Sequence, residues 1–576
     1  MHLPPDQGLP KHAAPKGGLL DPGPTQLNFS YVPLAVALLV AFSFRLYWMI
    51  TRTPVISIDG GEYLRMAENL LAGHGLMSSY GGPETMYTPL YSILIAGVSL
   101  VARNIELAAH LVSLFFGTFL IVPVFFITLR VYGLRAAYLS AAVVAVYPLL
   151  IARAGSIYTE AVYPTLLTAA LYWGIRSLEL RSTKNYFLCG AFFGLAYLTR
   201  PEAFAYPIFF AFALFIMALF TRRSPATAFF APSLVLAGFV LVASPYVVFL
   251  HTHTGQWRLE GKWDINYTAG TRMHSGLSDR EALYGIDDDQ QEVGPLLDPE
   301  RFANYTPYAH SLREKLRYML LSARQNHEGA YAAFFRTQLG EPFTLILIAI
   351  GLFRNVWSPQ RLIHETILGV MALSILILVV TGAHVEYRYA DVTVPLTMPW
   401  VAKGLEELGD WARSLAGGLS PILVPRASLI GTACQLAICI PMLVFSFVGT
   451  RTMSEFTIEQ ADNLGIKQAG LWLRDQKPEA KRIAAMDSVV PYYSSSILVQ
   501  FPYARPAQTL RYFDSRNVDF IVLEGAYSSS FPTIGEWFNQ GIPDPRAELL
   551  YDSGGPLKTR IEIYRWQRTG APTAAR

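Results

Sequence analysis

Stretches of roughly 17 to 25 predominantly apolar residues recur along this chain, and that is the length an α-helix needs to cross the hydrocarbon core of a bilayer. They fall at 30–50, 105–129, 134–152, 161–180, 185–200, 203–221, 228–250, 340–355, 363–382, 390–404 and 427–448, about eleven crossings. Lipid offers no partner to a free backbone N–H or C=O, so a chain with this many spans must cross as helices. Of 576 residues, 52% are hydrophobic and only 15% charged, which fits a polytopic membrane protein better than a soluble enzyme. A net charge of +3 points to neither nucleic acid nor an acidic partner. Cys189, Cys434 and Cys439 all lie inside apolar segments, so no disulfide framework is expected.

Charge placement sets the expected topology. Residues 1–29, rich in Pro and Gly, read as a disordered cytoplasmic tail with no cleaved signal peptide. From that start, the cytoplasmic connections hold Arg130 and Arg135; Arg176, Arg181 and Lys184; Arg222 and Arg223; Arg354 and Arg361; and Lys403, Arg413 and Arg426. Every one is basic, as the positive-inside rule asks. The apolar run Pro89–Val101 is short for a span and would invert this pattern, so it is expected to lie on the membrane. The transmembrane domain is then 30–450, with external loops at 51–104 and 251–337.

Residues 451–576 change character. Strand-like runs at 482–486, 520–523 and 560–564 alternate with helical pieces such as 466–476, the pattern of a small α/β domain. An odd number of crossings places it outside, as an extracytoplasmic domain on the same side as Asp59. It carries no phosphate loop, nucleotide fingerprint or Ser/His/Asp signature, so an accessory role is expected. In the long loop, Asp287-Asp288-Asp289 reads as a solvated acidic turn, and the sequons at Asn266 and Asn304 carry little weight.

The stretch that follows the first span, Ser57-Ile58-Asp59-Gly60-Gly61-Glu62-Tyr63-Leu64-Arg65, sets carboxylates at a membrane surface, where ionisable groups tend to be functional. A capping box, with Asp59 as N-cap and Glu62 at N3, is the structural alternative. The same topology brings Tyr158-Thr159-Glu160, Thr199-Arg200-Pro201-Glu202 and His384-Val385-Glu386-Tyr387-Arg388-Tyr389 to the face of Asp59. A carboxylate beside an acceptor hydroxyl serves as general base, and guanidinium groups match phosphate oxygens without titrating. Asp59 is thus the candidate base. Arg200 and Arg388, and less directly Arg45 or Arg52, are candidate phosphate partners. Arg200-Pro201-Glu202 also reads as a helix start, and Glu386 with Arg388 as a solvated pair. Glu62, Glu84, Glu160 and His384 are the residues available to a possible divalent cation, although their spacing is not that of a metal motif.

Asp59-Gly-Gly-Glu62-Tyr63, Ala67-Glu-Asn-Leu-Leu-Ala-Gly73, Tyr87-Thr-Pro89-Leu90-Tyr91, Tyr158-Thr-Glu160, Gly194 to Glu202 and Glu386-Tyr-Arg388-Tyr389 together resemble the GT-C membrane glycosyltransferases. That class includes the protein O-mannosyltransferases and lipid A aminoarabinose transferases. The resemblance covers about 30 to 405, and the tails of bacterial members are similar to the segments at 469–474 and 518–523. It implies transfer of one sugar from a polyprenyl-phosphate donor to a lipid, glycan or protein acceptor outside the cytoplasmic membrane, usually with inversion. On this likeness Asp59 and Glu160 are the expected catalytic residues. Glu62, Tyr63, Tyr87, Arg200, Glu202, Glu386, Arg388 and Tyr389 are the expected substrate contacts, with no metal ligand assigned. Gly60 follows Asp59 where the family often has a second acid, and Met86-Tyr87-Thr88 precede Pro89 where some members have Lys. Those departures leave the donor sugar open. The alternative from another class is a transporter or flippase for a polyprenyl-linked sugar. Its usual marks, internal repeats and interrupted spans with polar groups at mid-membrane, are absent from this sequence.

Overall fold

The structure, a computed structural model, describes residues 30–567 apart from 54, 221–224, 287–293, 298–310, 339–341, 383–384, 386, 420, 453–459 and 477–480. The expected tail, Asp287–Asp289, Asn304, His384 and Glu386 lie outside the described residues.

Helix α1 (Val32–Arg52) is followed by two short helices, α2 (Ile58–Leu71) and α3 (Leu90–Ala102), then α4 (Ile105–Phe119), α5 (Ile121–Tyr132), α6 (Leu134–Val146) and α7 (Pro148–Gly155). Next come α8 (Val162–Leu180), α9 (Thr183–Tyr197), a 3-10 turn at Pro201–Phe204, α10 (Ala205–Phe220) and α11 (Pro225–Thr254). The long loop contributes α12 (Trp263–His274), α13 (Asp279–Tyr284) and α14 (Leu312–Tyr331). Helices α15 (Phe343–Phe353), α16 (Pro359–Val380), α17 (Thr393–Leu419) and α18 (Ala427–Thr452) complete the membrane part. Every apolar stretch read from sequence is helical. Among the described residues, six helices are long and apolar enough to cross a bilayer unaided, or seven if α6 and α7 count as one bent span. Their 54° bend sits at Tyr147-Pro148, where proline drives the preceding residue out of the helical region.

Small residues let the helices close up. A Cβ on Gly190 of α9 would fall 1.9 Å from the Val235 carbonyl oxygen of α11, and one on Gly238 would fall 2.3 Å from that of Phe187. Only glycine permits this approach, the usual device where lipid removes the hydrophobic drive between helices. At the end of the helices away from Asp59, Arg130 pairs with Glu179 (3.4 Å), Arg135 with Asp410 (3.7 Å) and Arg354 with Glu407 (3.3 Å). These connections therefore share one face.

The C-terminal part opens with α19 (Gln460–Asp475) and holds one five-stranded sheet, ordered β2 (Ile497–Gln500), β1 (Arg482–Ala485), β3 (Phe520–Glu524), β5 (Ile561–Trp566), β4 (Ala547–Asp552). β1 pairs in parallel with β2 and β3, while β5 is antiparallel to β3 and β4. Three of these strands fall on the apolar runs read from sequence. β2 (four residues) and the half-exposed β4 are not among those read from sequence. Helices α20 (Val489–Tyr493), α21 (Pro506–Ser515) and α22 (Pro532–Gln540) flank the sheet. The domain docks on α2. Ser488 Oγ donates to the Ile58 carbonyl (2.7 Å), Arg65 Nη2 to that of Pro491 (2.9 Å), and the Leu498 N–H to that of Ser79 (2.8 Å).

Candidate active site

The first turn of α2 places the central carboxylate. Ser57, not Asp59, is the N-cap: its Oγ accepts from the Gly60 N–H (3.0 Å) and donates to the Ile157 carbonyl (2.7 Å). Glu62 does not complete a capping box either; its Oε2 accepts the Ser79 N–H at 3.0 Å. The alternative reading, a capping box of Asp59 and Glu62, is thus not what forms. Because the hydroxyl two residues earlier satisfies the helix start, Asp59 is free to face inward.

Asp59 Oδ1 accepts from Tyr87 Oη at 3.0 Å, and Oδ2 is ion-paired with Arg388. Tyr87 is held from behind, since Glu84 Oε1 accepts the backbone N–H groups of Met86 (2.6 Å) and Tyr87 (2.9 Å). Its ring meets Tyr63 edge-on at 5.3 Å, and Tyr63 meets Tyr91 likewise at 5.1 Å. Lys262 Nζ stands 3.9 Å from the centre of the Tyr87 ring.

A second cluster faces the first. Arg200 Nη1 bonds Glu160 Oε1 at 2.6 Å and its Nε pairs with Glu202. The Tyr389 ring lies between the two arginines, 5.1 Å from the Arg200 guanidinium carbon and 5.9 Å from that of Arg388. Both clusters border one cavity of about 210 Å³. Its polar end carries Asp59, Tyr87, Arg200, Glu202, Glu260, Lys262 and Arg388. Its other wall is apolar, with Phe204 and the α16 side chains Ile375, Leu378 and Val379. Such a cavity suits a ligand with a charged head and a hydrocarbon tail.

Electrostatics divide the acids. Burial alone would raise the Asp59 carboxyl, but the charges of Arg388 and Lys262 and the hydrogen bonds from Arg388 and Tyr87 overcome it and hold it at about 2. Burial likewise opposes ionisation of Glu160, yet Arg200, Arg153 and Arg388 bring it below its ordinary value. Glu84 goes the other way, pushed up to about 8 by burial and by neighbouring Glu62. Glu260 rises to about 7 through burial and the nearness of Glu202. Burial lowers Lys262, against the pull of Asp59.

The structure brings Asp59, Tyr63, Tyr87, Arg200, Glu202, Arg388 and Tyr389 to the cavity wall, with Glu160 directly behind Arg200. Glu62 is turned toward Ser79 and does not line the cavity. Arg45 is buried within α1 and donates to the carbonyls of Val144 (3.1 Å) and Ala145 (2.9 Å); Arg52 is exposed. Lys262 and Glu260 were not anticipated. They sit in an aperiodic loop segment, and only the alternation Arg258-Leu-Glu260-Gly-Lys262 beside a span end hints at them. Among the described residues, no group of three or more His, Cys, Asp or Glu side chains is placed to hold a metal ion.

The fold matches solved structures across nearly the whole chain. The oligosaccharyltransferase of Archaeoglobus fulgidus in the apo form aligns with a TM-score of 0.60 at 15% identity, over 94% of this chain and 75% of that one. The Archaeoglobus fulgidus oligosaccharyltransferase AglB, in complex with an inhibitory peptide and a dolichol-phosphate, aligns at 0.53 with 14% identity, over 94% and 75%. ArnT from Cupriavidus metallidurans bound to undecaprenyl phosphate aligns at 0.53 with 14% identity, over 92% and 97%. This is the GT-C fold of membrane glycosyltransferases, in a multi-pass helical protein with a small C-terminal sheet domain. Residues 86–249 in addition match the family model described as dolichyl-phosphate-mannose-protein mannosyltransferase. No curated protein matches the sequence significantly.

Proposed function

We propose that this protein transfers one sugar from a polyprenyl-phosphate-linked donor to a lipid, glycan or protein acceptor at the outer side of the cytoplasmic membrane, with Asp59 as general base. One observation carries the reading: an anionic carboxylate, two guanidinium groups and an ammonium converge at the head of a cavity whose far wall is apolar. The polyprenyl phosphates held by two proteins of the same fold have the matching chemistry, a phosphate on a hydrocarbon chain. The donor phosphate lies against Arg388, Arg200 and Lys262, and the prenyl chain leaves past Ile375 and Leu378.

In the transfer, the acceptor hydroxyl oxygen attacks the anomeric carbon. The carbon–oxygen bond to the lipid phosphate breaks, and the phosphate departs with the electron pair. The acceptor proton passes to Asp59. No acid is required for the leaving group, because the cations absorb its charge. The ion pair with Arg388 keeps Asp59 a weak base in the empty site. A donor phosphate competes for Arg388, and releasing Asp59 raises its basicity when the substrate is present. Glu160 acts through Arg200, fixing the guanidinium at 2.6 Å. A glycosylated acceptor from membranes supplied with a polyprenyl-phosphate sugar is the expected outcome in reconstituted vesicles. Labelled donor crossing the bilayer with no new glycosidic product would overturn the reading in favour of transport.

A further inference from the structure

Helix α14 enters the reaction cavity only through Tyr318, and the rest of it has another use. It touches the protein along one narrow line, Tyr318, Ser322, Asn326 and Ala330. Asn326 Nδ2 donates to the carbonyls of Val380 (3.2 Å) and Gly382 (2.9 Å), the last residue of the α16 span and the turn after it. The helix therefore sits level with the end of a membrane-crossing segment.

At 100° per residue, the flank next to that line is formed by Leu312, Leu316 and Leu320, one turn apart. They are 74%, 51% and 72% exposed, uncovered by the other described residues. Beside them runs a stripe of exposed arginines, Arg313, Arg317 and Arg324. An apolar ridge in water is unfavourable, whereas leucines flanked by arginines are the pattern of a helix lying in a bilayer interface. Long basic side chains there reach back to lipid headgroups. A second copy or a soluble partner would account for the leucines but not for their level at the end of a span.

We propose that α14 lies in the plane of the membrane surface, with Leu312, Leu316 and Leu320 among the acyl chains and Arg313, Arg317 and Arg324 on the phosphates of anionic lipids. On the other side of the helix, Tyr318 lines the cavity and its hydroxyl donates to the Asn266 carbonyl at 3.3 Å. Seating on lipid thereby fixes one cavity wall at the level where a lipid-borne ligand enters.

The test uses the full chain carrying Cys434→Ser and Cys439→Ser, Cys189 being buried. A fluorophore is attached at Leu320→Cys or, facing away, at Gln325→Cys, which is also exposed. The protein is placed in nanodiscs of phosphatidylcholine, or of phosphatidylcholine with about one third phosphatidylglycerol, each with brominated upper acyl chains. Bromine should quench the Leu320→Cys probe and spare the Gln325→Cys probe, more so with phosphatidylglycerol. Arg313→Gln, Arg317→Gln and Arg324→Gln should each move the seated-to-lifted ratio about fivefold toward lifted in the anionic discs. Equal water exposure of the two probes would overturn the proposal. So would a Leu320→Cys probe hidden from bromine and aqueous iodide alike, the mark of a protein partner. Quenching indifferent to phosphatidylglycerol would overturn the phosphate assignment.

Discussion

Asp59→Asn separates the two consequences of the Asp59–Arg388 pair. The amide keeps the side-chain volume and can accept from Tyr87, but it carries no charge and takes up no proton at neutral pH. Holding the carboxyl at about 2 against an ordinary 3.8 corresponds to about 2 kcal/mol favouring the charged form. Arg388 is the largest source of that attraction, and Asp59 therefore withholds it from an incoming phosphate. Losing the base should slow transfer by roughly a hundredfold or more. Freeing the guanidinium should at the same time tighten binding of an unreactive polyprenyl phosphate, by about tenfold. Single-turnover transfer and equilibrium binding of the lipid phosphate, measured on the same detergent-solubilised variant, read the two effects apart. Transfer at the wild-type rate would refute the base assignment. Slower transfer with weaker phosphate binding would refute the competition for Arg388 and make Asp59 a binding residue.

Other residues give further outcomes. With Glu260 held near 7, rising pH turns it into an anion beside the donor phosphate, so kcat/KM for transfer should fall above about pH 7, and Glu260→Gln should flatten that limb. Glu84 favours its neutral form in the fold, so the stability it contributes is full below its ordinary 4.5 and is lost as pH rises through about 8; thermal unfolding of Glu84→Gln should lose this slope, whereas Glu84→Ala, which strips the acceptor from two N–H groups, should lower stability by about 1 to 3 kcal/mol at any pH. A Cβ at Gly61 would lie 2.2 Å from Ser488 Oγ and 2.9 Å from its carbonyl, so Gly61→Ala should cost about 1 to 3 kcal/mol and expose residues 460–567 to protease, with partial rescue by Ser488→Gly, which relieves the side-chain clash but not that with the backbone carbonyl.

How much of this was readable in advance follows from the range of each interaction. Helix-forming apolar runs are local, so all of them, and even the short Leu90–Ala102 helix, could be placed from length and composition. Membrane topology then acted as a long-range constraint: a side chain near a span end must lie on one face or the other, which brought Asp59, Glu160, Arg200 and Arg388 to one face without any tertiary information. What topology does not set is direction. Glu62 and Asp59 are three residues apart on one helix, yet one meets Ser79 and the other Arg388, because the cap fell on Ser57 and fixed the rotation of the first turn. Lys262 and Glu260 lay beyond reach for a different reason. They belong to a segment without helical or strand period, tied to the bundle beside the cavity by tertiary contacts such as the Tyr197 Oη hydrogen bond to the Leu259 carbonyl, at 2.5 Å, and Lys262 over the Tyr87 ring. Asp59, Arg200 and Arg388 thus stand at helix ends, where the bilayer constrains them, while Glu260 and Lys262 reach the same cavity from a loop.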